Sequence, residues 1–214
     1  FRFSTSNPQD MALDVIKTMA SHQNICNHIH LPVQSGSNRI LKEMNRQHSR
    51  EEYINLVNNI KTIIPECTIS QDMICGFPTE TEQDHQDTLS LMEVIKYSFG
   101  FMYAYSERPG TTAERKLEDD VTHETKKRRL AEVVELQRAH GLYRTQQFIN
   151  QTVEILIEKE SKKSSAEWSG RSAENTVAVF PKGPYKIGDF VMVKINDCTS
   201  ATLIGEAIGF SENN

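Results

Sequence analysis

Two hydrophobic periods alternate along the first two thirds of the chain. Short apolar runs occur at 1–4, 27–33, 68–77 and 99–105, and each predicts a strand. Between them apolar residues fall three and four apart. Met11, Val15, Ile16 and Met19 form one such set, and Ile40, Leu41 and Met44 a shorter one. Tyr53, Leu56, Val57, Ile60, Ile63 and Ile64 form a third, and Leu89, Leu91, Met92 and Ile95 a fourth. That spacing predicts one helix face per set. Helices between successive strands imply βαβ units and parallel pairing.

Punctuation supports these boundaries. Ser6-Asn7-Pro8-Gln9-Asp10 supplies turn and cap residues. Ser49 with Glu52 three residues on forms a capping box, and Pro65 stops that helix. Thr79 or Thr81 caps the next one. Thr122 opens a long helix carrying Leu130, Val133, Val134 and Leu136, with Thr125 where a capping box would place Glu.

The pattern changes after residue 148. Val153, Ile155 and Ile157 alternate, a polar stretch follows at 160–167, and Trp168-Ser169-Gly170-Arg171-Ser172 precedes a strand at 176–180. Two more strands are predicted at 190–195 and 201–208. Short strands punctuated by Gly and Pro suggest a small antiparallel barrel. The chain therefore divides into 1–147, α/β in class, and 148–214, all β.

Composition narrows the function classes. The chain has 214 residues, 25% charged and 37% hydrophobic, ordinary values for a globular protein. No apolar run approaches the roughly 20 residues of a membrane helix. Cys26, Cys67, Cys75 and Cys198 are dispersed, which suggests buried thiols in a reducing compartment. A net charge of −5 argues against strong non-specific nucleic-acid binding. The last 67 residues hold seven Lys or Arg against nine Asp or Glu, so any RNA contact there uses one face.

Three blocks carry candidate chemistry. They are His30-Leu31-Pro32-Val33-Gln34-Ser35-Gly36-Ser37, Asp72-Met73-Ile74-Cys75-Gly76-Phe77-Pro78 and Tyr105-Ser106-Glu107-Arg108-Pro109-Gly110-Thr111. Each is an apolar run ending in polar residues, Gly or Pro, as where a parallel sheet places its site. A Gln34 amide donates and accepts toward paired hydroxyls, or simply ends a strand in a turn. Arg46 matches a carboxylate with two parallel hydrogen bonds, or is a surface cation at a helix end. Asp72 accepts from hydroxyls. Ile74, Gly76 and Phe77 suit a flat apolar ligand, or pack a core. His28 and His30 share a strand face but have no third ligand nearby, so no metal site is expected. Lys126, Lys127, Arg128 and Arg129 are a solvated helix face or phosphate contacts. Trp168, Arg171 and Phe180 are candidates for stacking single-stranded RNA.

These blocks resemble the radical SAM methylthiotransferases, most closely the members acting on isopentenylated adenosine beside the tRNA anticodon. The resemblance runs from Phe1 to about Gly209. It implies the C-terminal portion of a partial (β/α) barrel followed by a TRAM domain, an OB-like RNA-binding barrel. It implies that Gln34 and Asp72 contact the ribose of S-adenosylmethionine, that Arg46 pairs with its methionyl carboxylate, and that Ser35 also belongs to the cofactor-binding set. It places the adenine against Ile74, Gly76 and Phe77 and along the backbone of Met102 and Tyr103. Arg108, the 126–129 run, Trp168 and Arg171 would meet a tRNA anticodon stem-loop.

The family holds its [4Fe–4S] cluster with three cysteines at CxxxCxxC spacing, and no such spacing occurs here. The chain also opens without Met inside a family block. It reads as the C-terminal part of a cytoplasmic transferase whose N-terminal part ligates the clusters, and which alone is inactive. Action on threonylcarbamoyl-adenosine tRNA and a non-catalytic RNA-binding piece are the alternatives, with a ribosomal-protein substrate less favoured. Where the family usually reads Gly-Phe-Pro-Gly-Glu-Thr, this chain has Thr79 as the fourth residue, so a right-handed backbone is expected there.

Overall fold

The computed structural model describes residues 1–5 and 7–212. Ser6, among the turn residues named above, lies outside the described residues.

Four parallel strands form the first sheet, in the order β1 (Phe3–Ser4), β2 (His28–His30), β3 (Thr68–Cys75) and β4 (Phe99–Ala104). Each crossover carries a helix. α1 (Leu13–Ser21) follows β1, and α2 (Asn38–Glu43) and α3 (Arg50–Ile63) follow β2. α4 (Glu82–Ile95) follows β3. A short helix α5 (Thr112–Lys116) then precedes the 24-residue α6 (His123–Gln146). α5 was not foreseen, because its five residues are too few to show a period.

The capping logic holds in detail. The Ser49 hydroxyl accepts from the Glu52 amide at 3.1 Å, and Glu52 accepts in return from Ser49 N–H at 2.7 Å. Of the two Thr candidates, Thr81 is the cap of α4, and its box partner is Asp84. Helices α1, α3, α4 and α6 bury their apolar stripes against the outer face of the sheet. There Ile29, Ile69, Met73 and Cys75 alternate inward among Tyr53, Ile60, Leu91 and Val133.

Strand β2 is shorter than the predicted 27–33. Leu31 N–H still reaches the Ser70 carbonyl, but the next ladder bond runs from Gln34 N–H to Asp72. Three steps on this chain thus match two on β3, and Pro32 has no N–H to offer between them. Gln34 resumes contact as an isolated bridge to Met73, with φ +74°.

Five strands make a closed barrel: β5 (Thr152–Glu160), β6 (Glu167–Arg171), β7 (Val177–Pro181), β8 (Phe190–Cys198) and β9 (Thr202–Phe210). Trp168 to Arg171, expected only to precede a strand, is itself β6, paired antiparallel with β5 and β7. Closure comes from a parallel pairing of β7 with β9, so the barrel is not antiparallel throughout. Ile155, Ile157, Ala178, Val191, Val193 and Leu203 fill it. Phe180 also points inside at 1% exposure, which removes it as a stacking residue for RNA.

The two units touch through backbone-directed bonds. Thr68 Oγ1 donates to the Glu174 carbonyl at 2.6 Å and Thr145 Oγ1 to the Thr199 carbonyl at 2.7 Å.

Candidate functional site

The face of the sheet away from the helices is polar and aromatic. His28, His30, Ser70, Asp72, Phe99, Phe101 and Tyr103 lie on it, while their alternate neighbours pack the helices. At the carboxyl ends of β2, β3 and β4 a cavity of about 780 Å³ opens. Gln34, Arg46, Asp72, Ile74, Phe77, Tyr103 and Arg108 all line it. Three separate segments thus bring an amide, a guanidinium and a carboxylate to one space.

Each of these groups is placed by its backbone. The register slip at Pro32 and Val33 rotates Gln34 into the left-handed region, and it is held there by its two bonds to β3. Arg46 follows the end of α2: Asn45 has φ +55°, and Arg46 N–H donates to the Leu41 carbonyl at 2.8 Å. Arg46 is half-buried, and burial lowers the pKa of its guanidinium while the charge of Asp72 opposes that. His30 Nε2 lies 3.4 Å from Asp72 Oδ1, and its Nδ1 is 2.9 Å from Ser70 Oγ. Phe77 and Tyr105 meet edge to face at 5.1 Å and form an aromatic wall.

Other expected residues stand elsewhere. Ser35 is fully buried, with its hydroxyl 3.3 Å from that of Thr88 on α4, and it accepts from Ser37 N–H. It secures the loop from behind and does not line the cavity. Gly36 explains the close packing: a Cβ there would lie 2.5 Å from the Asp87 carbonyl oxygen. Gly76 is buried with φ +73° and gives its N–H to Glu80 Oε1 at 2.9 Å. Met102 turns its side chain into the helix-facing core, so only the backbone of that strand runs beside Tyr103 at the cavity.

The loop after Phe77 corrects the expectation about Thr79. Its φ is +68°, the left-handed backbone that the family's glycine would adopt freely. Thr79 N–H donates to Asp120 Oδ1 at 2.6 Å, and its hydroxyl accepts from Arg39 Nη1 at 3.0 Å. These partners hold a β-branched residue where a Gly was expected to be dispensable. Arg39 also pairs with the buried Asp84, which accepts from the Ser37 hydroxyl and the Thr81 N–H as well. Burial alone would raise the Asp84 pKa, but these donors hold it well below the usual carboxylate range. Asp84 ties the loop after β2 to the loop after β3. Sequence reasoning did not single out Asp84; its place three residues after the Thr81 cap was the one available signal.

The basic run at the start of α6 divides by helical phase. Lys127 and Arg128 are exposed. Arg128 pairs with Glu82 and Glu132 at 2.6 and 2.7 Å. Lys126 and Arg129 are buried, contrary to the phosphate-contact reading. Arg129 Nη1 meets Glu80 Oε1 at 2.9 Å, and Lys126 Nζ meets Asp119. Residues three apart share a face, and this face is the one against the sheet.

In the closed barrel Trp168 is half-buried, with Lys182 Nζ 4.3 Å above its ring. Arg171 points into a second cavity of about 520 Å³ at the opposite end of the strands, between sheet and barrel. It bonds to Asn175 Oδ1 at 3.1 Å and pairs with Glu158 at 3.3 Å.

Among the described residues no three His, Cys, Asp or Glu come together to hold a metal ion. Burial pushes the Cys67 and Cys75 thiols up to about 11 and about 12. No helix among the described residues is long and apolar enough to cross a membrane.

The radical SAM superfamily model matches residues 2–92 and the TRAM domain model residues 146–208. A tRNA-2-methylthio-N(6)-dimethylallyladenosine synthase of Christiangramia forsetii is 70% identical over 213 residues, all of this chain and 44% of the relative. Synthases of the same name are 65% identical in Flavobacterium psychrophilum, over 44% of its length, and 48% identical in Bacteroides fragilis, over 45%. In each case they match essentially all of this chain, 100% and 97%. The chain thus spans less than half the length of these relatives. Among solved structures, Escherichia coli coproporphyrinogen III oxidase, a radical SAM enzyme, aligns with a TM-score of 0.56 at 14% identity. That alignment covers 98% of this chain and 51% of the oxidase, and it shows a shared fold. The α/β part and the closed barrel thus fall, in chain order, under the radical SAM superfamily and TRAM domain models, and along its length the chain is similar to these synthases.

Proposed function

We propose that the protein containing this chain adds a methylthio group to N(6)-isopentenylated adenosine beside the anticodon of tRNA, in the cytoplasm. The observation that carries this reading is the meeting of Gln34, Arg46 and Asp72 in one cavity, with Phe77 and Tyr105 as its aromatic wall. The donor set fits S-adenosylmethionine. A half-buried guanidinium suits the methionyl carboxylate, an acid and an amide suit ribose hydroxyls, and aromatic and aliphatic walls suit adenine. When bound beside a reduced [4Fe–4S] cluster, S-adenosylmethionine supplies the radical and methyl chemistry. The cysteines for the clusters lie in the N-terminal part of the full-length protein, and this chain alone is inactive.

The residues of this chain bind and orient. Gln34 and Asp72 hold the ribose, with His30 steadying the Asp72 carboxylate from 3.4 Å. Arg46 fixes the amino-acid end. Arg108 and Lys127, both exposed, meet tRNA phosphate near the cavity and at the start of α6. The closed barrel, divided from the rest at 147/148, docks RNA through the Trp168 face. The name of the relatives specifies dimethylallyladenosine, which favours the isopentenyl substrate over threonylcarbamoyl-adenosine.

Replacing Arg46 tests the assignment. Arg46→Ala in the full-length protein is expected to weaken S-adenosylmethionine binding by about 1.5–3 kcal/mol, the scale of a charged hydrogen bond. An unchanged affinity removes Arg46 from the site.

A further inference from the structure

Lys126 stands first in the basic run, yet its side chain leaves solvent and passes beneath the site. Its stem occupies the place a side chain would take on Gly76: a Cβ there would overlap the Lys126 Cγ. Its ammonium reaches Asp119 Oδ1 at 2.6 Å and sits 5.2 Å from the centroid of the Tyr105 ring. Tyr105 in turn meets Phe77 edge-on, and both line the cavity. One buried side chain therefore touches the backbone before Phe77 and the ring that packs on Phe77.

The contacts divide the work by chemistry. The methylene stem excludes water from the left-handed turn at Gly76 and keeps the loop after β3 in place. The ammonium, neutralised by Asp119, presents positive charge to the face of Tyr105 and fixes the plane of that ring. Without the stem a void opens under the loop. Without the charge Tyr105 is free to rotate about its side-chain torsions into the cavity.

We propose that Lys126 is a positioning residue of the cosubstrate site, holding Tyr105 and Phe77 as the wall against which the adenine lies, and that it takes no part in RNA binding. This rests on the reading of the cavity as the S-adenosylmethionine site. Nothing but the fold distinguishes it from Lys127, its neighbour on the exposed side.

The test uses the full-length protein with S-adenosylhomocysteine as the binding probe, measured by calorimetry, and an anticodon stem-loop RNA measured separately. Lys126→Met keeps the stem and removes the charge. It is expected to lower affinity for the probe about tenfold, in line with a desolvated cation over a ring face held by an ion pair. The KM for S-adenosylmethionine rises in proportion while kcat and RNA affinity stay within about twofold. Lys126→Arg restores probe affinity to within about threefold. Probe affinity unchanged in Lys126→Met, or a loss of RNA affinity with probe binding intact, overturns the proposal. If Lys126→Met does not fold, Asp119→Asn releases the ammonium from outside and must produce the same loss; unchanged affinity there is equally fatal. A wild-type protein that binds no probe overturns the reading of the cavity itself, and is recognised before any variant is compared.

Discussion

Gln34 is clipped to β3 on both sides of Met73: its N–H donates to the Asp72 carbonyl at 2.9 Å, and its carbonyl accepts from Ile74 N–H at 3.0 Å. The same two residues of β3 send their side chains into the cavity. A backbone clip between Gln34 and Asp72 thus sets the distance between an amide and a carboxylate drawn from different strands. The left-handed φ of Gln34 is the conformational cost of that arrangement.

Thr79 tests how strain is held at the other loop. Thr79→Gly relieves a left-handed β-branched backbone but loses the hydroxyl bond from Arg39 and adds chain entropy to the unfolded state. These effects offset, so the stability change stays within about 1 kcal/mol. Thr79→Val keeps the strain and loses the bond, and costs about 1 kcal/mol or more. Urea denaturation compares the two, with Val expected to be the less stable.

Arg129 is a folding residue. Its side chain is 5% exposed and that of Glu80 is 2% exposed. Arg129→Ala leaves the Glu80 carboxylate buried without its ion-pair partner, held by the Gly76 amide, a loss of about 3–5 kcal/mol. Replacing the pair with Arg129→Met and Glu80→Leu costs less than the single change. Chemical denaturation of both variants decides this, and equal losses would mean that the ion pair is not the reason.

His28 predicts a pH dependence. It is 3% exposed, stacks on Phe99 at 5.2 Å and meets the hydroxyls of Thr68 and Ser70. Burial, then the charges of His30, Arg2 and Arg171, push its pKa down to about 4. Between the ordinary value near 6.5 and about 4 the unfolded chain binds a proton that the folded chain refuses. Its contribution is therefore complete above pH 6.5 and is lost as pH falls, by up to roughly 3 kcal/mol near pH 4. His28→Gln flattens that part of the stability curve. An identical slope in the variant would show that His28 is protonated when folded.

Lys127 carries the electrostatic prediction for RNA. Lys127→Ala is expected to lower the slope of log K against log salt by about 0.7–1 for an anticodon stem-loop, the release of one phosphate's counterions. Arg128→Ala has a smaller effect, because Glu82 and Glu132 already accept from its guanidinium. A larger effect at Arg128 than at Lys127 would mean that these pairs open on binding.

Local patterns made much of this molecule legible. The 3.6-residue stripes, the Ser49–Glu52 box and the apolar runs ending in Gln34, Gly76 and Tyr105 are short-range signals, written within a few residues of the elements they specify. They determined the strand and helix order, the parallel sheet and the loops that line the cavity. What only the tertiary structure decided depends on partners far apart in the chain. Lys126, Lys127, Arg128 and Arg129 are alike as letters, but packing against β3 and α4 buries the first and fourth and leaves the middle two in water. Thr79 takes a glycine-like backbone because Arg39, forty residues earlier, and Asp120, forty-one later, hold it there. The small barrel closes through β7 and β9, whose parallel register no turn signal encodes. Propensity and periodicity act through neighbouring residues, whereas direction inward or outward is settled by which distant surface arrives to cover it.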